Sequence, residues 1–195
     1  DRFTEALGHF NSVFPHLDGR LRVIIGFNRA SCFFQLSRYP EAESAFESLA
    51  GESGRMAILA TLNAGLSAAE QGTLSRALYW LERARPQQAV LPERFALLKN
   101  QAGSLAKEQR ERLISQADRS FKHQSRDYIL GLYQKALAVS FGMTDRERAY
   151  LRSQVANLSG AKETSSKRGQ SPRVTFWIGT AGGYDSNVGR ASTHA

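Results

Sequence analysis

Along the first two thirds of the chain, apolar and small residues recur three and four places apart, the spacing that gathers side chains on one face of a helix. Three segments align: Asn28-Arg-Ala-Ser-Cys-Phe-Phe-Gln, Asn63-Ala-Gly-Leu-Ser-Ala-Ala-Glu-Gln and Asn100-Gln-Ala-Gly-Ser-Leu-Ala-Lys-Glu-Gln. Each carries a small residue two places after the asparagine (Ala30, Gly65 and Ala102), and the spacings are 35 and 37 residues. A second series reads Phe3-x-x-Ala6-x-x-x-Phe10, Tyr39-x-x-Ala42-x-x-x-Phe46 and Leu74-x-x-Ala77-x-x-x-Leu81, with its alanines 36 and 35 apart. A small residue in mid-face lets two helices approach closely, and the flanking aromatic or leucine fills the groove beside it. Helices patterned in this way cannot bury their faces alone and must stack on their neighbours.

Turn signals fall where hairpins need them. Ser37-Arg38 precedes Tyr39-Pro40, Gln71-Gly72 precedes Thr73, and Gly51 to Gly54 separates one pair from the next. Pro40 is expected in the first turn of a helix, where its missing N–H costs nothing. The third pair is expected to have a first helix around Asn100 and a second at Arg112-Leu-Ile-Ser-Gln-Ala117. From Ser125 a helix with Tyr128, Leu132, Tyr133, Ala136 and Leu137 is predicted to run towards Gly142-Met143. Thr144-Asp-Arg-Glu147 is a capping box opening a last helix through Leu158. These helices are expected to cover the final apolar face of the stack.

The stretch from Leu62 to Pro86 resembles a tetratricopeptide repeat, with Gly65, Gly72, Ala77, Leu81, Ala84 and Pro86 at or near the signature places. Ile25 to Leu49 is similar to a second copy that carries Ser37 where the turn glycine would stand, and residues 1–14 resemble the second helix of a truncated repeat. The reading for 1–158 is therefore all-α: a superhelical stack of antiparallel helix hairpins of the tetratricopeptide type.

The chemistry changes after Leu158. Residues 159–172 contain almost no apolar side chain and read as a flexible linker. Then Val174, Phe176 and Ile178 alternate with Thr175, Trp177 and Gly179, the period of a strand with one apolar face. One strand is not stable alone. The following Gly183-Tyr-Asp-Ser-Asn-Val188 resembles the motif that opens the barrel in the surface lipoprotein assembly modifier family. There, a periplasmic tetratricopeptide domain precedes an outer-membrane β-barrel, and an alternating aromatic strand suits a barrel wall. The resemblance implies that 173–195 is the first strand of a barrel, that the helical domain lies on the periplasmic face of the outer membrane, and that it holds client proteins for translocation to the cell surface. Related helix-plus-barrel polysaccharide exporters and a soluble tetratricopeptide adaptor remain open alternatives. The chain starts at Asp1 without Met or an apolar leader and is read as a piece of a longer precursor.

Composition narrows the function further. The net charge is +8, from 26 basic and 18 acidic residues, but the basic residues are scattered among Glu and Gln, as in Lys107-Glu-Gln-Arg-Glu-Arg112. That is the pattern of a solvated helix face, so a nucleic-acid partner is disfavoured. The single Cys32 excludes an internal disulfide and a thiolate metal cluster. No two of His9, His16, His123 and His194 stand one helical turn apart, and Asp185-x-Asn187-x-Gly189 lacks the distal glutamate of a calcium loop. Phosphate-cradling, dinucleotide and nucleophile-elbow motifs are missing. The chain is read as non-catalytic, with no cofactor and no metal.

The expected site is the concave surface lined by first helices. Ile24, Phe27, Asn28, Phe34, Leu59, Asn63, Leu66 and Asn100 are the candidates to receive a protein or peptide client. An asparagine amide offers both donor and acceptor to an extended backbone. The same asparagines could equally serve to bond neighbouring helices within the stack.

Overall fold

Alanine, leucine, glutamate and arginine recur through the helical segments, and among the described residues no proline stands beyond a helix's first turn. The computed structural model describes residues 2–164. Among these it contains eight α-helices: α1 (Arg2–Val13), α2 (Gly19–Gln35), α3 (Tyr39–Leu49), α4 (Arg55–Glu70), α5 (Leu74–Ala84), α6 (Pro92–Ser120), α7 (Arg126–Ala138) and α8 (Asp145–Thr164). Short 3-10 turns follow α1 at Phe14–His16 and α5 at Arg85–Gln87. The predicted strand at 173–195, its Tyr184-Asp-Ser-Asn187 segment and most of the predicted linker lie outside the described residues.

Each helix packs on its chain neighbour from α1 to α5; α6 packs on both α4 and α5, α7 on α6, and α8 on α7. The small residues sit at the closest approaches. Ala30, Ala42, Ala60, Ala64, Ala77 and Ala102 are completely buried. Gly65 of α4 is tighter still: a Cβ there would lie 2.9 Å from Cβ of Trp80 on α5 and 2.5 Å from a methyl of Leu98 on α6.

The turns ending α2 and α4 share one geometry. Ser37 N–H donates to Phe34 O and Arg38 N–H to Phe33 O; 35 residues later, Gly72 N–H donates to Ala69 O and Thr73 N–H to Ala68 O. This is a helix end closed by a left-handed residue. Gly72 has φ +72°, and Ser37, at φ +57°, is the one non-glycine with positive φ among the described residues. The serine occupies the turn glycine's place and adopts its conformation.

Three expectations need correcting. The third hairpin does not form, because α6 is one unbroken helix of 29 residues. Between Ser104 and Ser120 it has neither glycine nor proline, and its exposed face is laced by Lys107–Glu111 and Glu108–Arg112 pairs, so nothing turns the chain. Secondly, α7 stops at Ala138, four residues before Gly142. Thirdly, α8 passes Leu158 and runs to Thr164, into the segment expected to be linker. Polar composition alone does not end a helix when no breaker but Gly160 intervenes.

The long α6 divides the interior. One apolar cluster spans α1 to the start of α6, and a second joins the end of α6 to α7 and α8 around Ile129, Leu132, Tyr133 and Leu151. The loop between α7 and α8 bridges them. Its Phe141 packs on the first cluster, while the buried Arg110 of α6 donates to the carbonyls of Val139 (3.1 Å) and Phe141 (2.8 Å). Arg110 also lies 3.5 Å from Glu147, the acceptor of the capping box. That box forms with Thr144 N–H donating to Glu147 Oε2 at 2.7 Å and Glu147 N–H to Thr144 Oγ1 at 3.2 Å.

Candidate functional site

Helices α2, α4 and α6 border a groove of about 430 Å³ whose floor is apolar. Phe27 and Phe34 come from α2, Leu59 and Leu66 from α4, and Leu97 from α6, with Phe46 of α3 behind them. Phe27 and Phe46 meet edge-to-face at 5.2 Å, and Phe34 meets Tyr39 in the same way at 5.4 Å. These contacts pack the two α2 rings, which are half-buried and line the groove. Leu66 is buried in the floor, whereas Leu97 on the rim is 45% exposed.

The rim is polar. Arg94 Nη1 donates to Asn63 Oδ1 at 3.1 Å, and Gln101 Nε2 donates to Glu70 Oε1 at 3.0 Å. This leaves Gln101 Oε1 buried without a donor. An acceptor stripped of water and left unpaired costs about 1–3 kcal/mol. Gln35 and Ser31 complete the lining, though the Ser31 hydroxyl is engaged by Phe27 O at 2.9 Å.

Of the eight residues expected to face a ligand, Phe27, Phe34, Leu59, Asn63 and Leu66 line this groove together. The other three do not. Asn28 and Asn100 are exposed outside it and form no side-chain hydrogen bond among the described residues. Ile24 lies nearer the start of α2 and lines a different cleft. The periodicity located the faces of the helices, but on α6 the register places Gln101, rather than Asn100, in the groove. Arg94 was not foreseen: it is a full turn and more before Asn100, and only the packing of α6 on α4 brings it to Asn63.

A second set of residues escaped the sequence reading. Glu43 of α3 is 6% exposed, and its carboxylate accepts from Arg76 Nε (2.7 Å), Trp80 Nε1 (2.8 Å) and Gln71 Nε2 (2.9 Å). It ties α3 to α5 and to the turn between α4 and α5. The hydrogen bond to Glu43 raises the Arg76 pKa above its ordinary value. With three donors from the stack converging on its carboxylate, Glu43 has a structural task.

Among the described residues no three His, Cys, Asp or Glu side chains converge as a metal site would require, and no helix is long and apolar enough to cross a membrane. Compared with family models, curated proteins and solved structures, the chain matches none.

Proposed function

We propose that this chain is a non-catalytic polypeptide-holding domain of the tetratricopeptide type, and that the α2–α4–α6 groove receives an extended segment of a client protein. The observation carrying the reading is the groove itself. Half-buried aromatic rings and leucines offer pockets to alternate side chains of an extended strand, while the exposed Asn63–Arg94 pair offers backbone partners on the rim. The equivalent turns at Ser37 and Gly72, set 35 residues apart, support the repeat architecture. The address rests on the C-terminal motif: the domain would sit on the periplasmic face of the outer membrane, joined to a barrel, and hold clients on their way to the surface.

The test is binding of a permanently unfolded polypeptide, reduced and carboxymethylated α-lactalbumin, to the 195-residue chain. Binding is expected, and Leu97→Glu, which puts a charge in place of the rim's leucine without touching the core, should weaken it about tenfold. Unchanged binding by that variant, or capture of an anionic polysaccharide in place of polypeptide, would remove the proposal. The membrane address is tested separately, by looking for a heat-modifiable outer-membrane protein as the full-length product of the gene.

A further inference from the structure

A wider cleft, of about 1140 Å³, lies on the other side of α2, between that helix, the turn at Phe14–His16 and α3. Arg22, Gly26, Arg29 and Phe33 form its α2 wall at the i, i+4, i+7, i+11 spacing of a single helical stripe. Gly26 has no side chain, and the Phe14 ring fills that space: its Cε2 would lie 3.1 Å from a Cβ there. The ring is flanked by both arginines, with Arg22 Cζ 4.6 Å and Arg29 Cζ 4.5 Å from its centroid. The two guanidinium groups are thereby held together on an aromatic anchor, although their charges repel.

Neither arginine has a carboxylate partner among the described residues. Arg22 donates only to the carbonyl of Leu17, and Arg29 Nε is buried with no acceptor. Arg20 adds a third guanidinium to the wall. Two carboxylates face them, but Glu41 is engaged by Arg38 at 2.8 Å, which leaves Glu52 alone against three cations. The opposite wall on α3 is mild: Ser44, Ser48 and Ala45, with Leu49 and Met56 apolar at the base.

We propose that this cleft is a second binding site, for an acidic, partly apolar polypeptide segment, independent of the groove on the far side of α2. Guanidinium forks match carboxylates, and holding two of them on one ring lowers the ordering cost of a bidentate contact. A small inorganic anion would fill only the arginine end. A peptide that alternates carboxylates with apolar side chains also uses Leu49, Met56 and the serines.

The probe is a fluorescein-labelled octapeptide of alternating Glu and Leu, followed by anisotropy with the 195-residue chain. The double variant Arg22→Gln/Arg29→Gln should lose about tenfold or more in affinity. A charge-matched control, Arg83→Gln/Arg119→Gln, should lose less than about twofold, since distant exposed charges are screened. The corresponding Gln-Leu peptide should not bind. Phe14→Leu keeps every charge but removes the shared ring, and should also weaken binding. Equal losses in the site variant and the control, or equal binding of the Gln-Leu peptide, would overturn the proposal. Sedimentation with phosphatidylglycerol vesicles provides the remaining arm: association that depends on Arg22 and Arg29 would assign the cleft to a membrane surface and overturn the polypeptide reading.

Discussion

Replacing Glu43 by glutamine keeps the shape of the side chain and removes the charge on which three donors converge. The cost can be worked out donor by donor. Trp80 is completely buried, so its indole N–H, now sharing a weaker acceptor, gives up part of a charge-assisted bond valued at about 1.5–3 kcal/mol. The Arg76 side chain is 44% exposed and recovers water, so its share is limited to about 1 kcal/mol or less. The new amide N–H₂ also has to point at Arg76, Trp80 or Gln71, all of them donors here. The sum is a destabilisation of about 2 kcal/mol, within the range for disturbing a buried charged network. In urea unfolding followed by helical circular dichroism, that lowers the midpoint by about 1 M for an ordinary slope of roughly 2 kcal/mol per M. Glu41→Gln, an exposed residue two positions before Glu43 on α3, provides the reference. If Glu43→Gln shifts the midpoint no more than Glu41→Gln does, the carboxylate does not hold α3 to α5, and the reasoning fails.

Ser37→Gly should stabilise the fold by about 1 kcal/mol in the same assay, because a left-handed backbone is strained for serine and free for glycine. A loss of stability would show that the serine side chain contributes more than its strain costs. Gly65→Ala should destabilise by about 1–3 kcal/mol despite alanine's better helix propensity, because the new methyl would collide with Trp80 Cβ and Leu98; a gain would mean that the helices can separate cheaply. The capping box gives a pH dependence. The backbone N–H of Thr144 holds the Glu147 carboxyl below the ordinary glutamate value, with the Thr144 hydroxyl and Arg110 adding smaller contributions in the same direction. A depressed carboxyl pKa stabilises the fold fully above the unfolded value, and that stabilisation is lost as pH falls through the folded one. Wild type should therefore lose more stability than Glu147→Gln between pH 5 and pH 3, in thermal melts across that window; parallel curves would refute the assignment.

Local rules were the most legible part of this chain. The hairpin turns, Pro40 in a first turn, the capping box at Thr144 and the small residues at helix crossings each depend on a few adjacent residues or one helical period, so the sequence displays them directly. The length of α6 was legible in principle, since no breaker stands between Ser104 and Ser120, but an imposed period of repeats suggested a turn where none forms. Glu43 was not legible: its partners are 28, 33 and 37 residues away, and nothing in Glu-Ala-Glu-Ser marks one carboxylate as buried. The groove was half legible. Helical spacing identified Phe27, Phe34, Leu59, Asn63 and Leu66, whereas the contributions of Arg94, Leu97 and Gln101 depend on how α6 crosses α4.

The central claim is that the face formed by α2, α4 and α6 holds extended polypeptide, and site-directed photocrosslinking tests it most directly. Benzoylphenylalanine would be placed at Leu97, on the groove rim, or at Val90, which lines neither the groove nor the cleft beside Phe14; the two residues are similarly exposed, at 45% and 50%. With reduced, carboxymethylated α-lactalbumin as the partner, the account predicts a crosslinked product from position 97 and little from position 90. Equal yields from both positions, or none from 97, would contradict it.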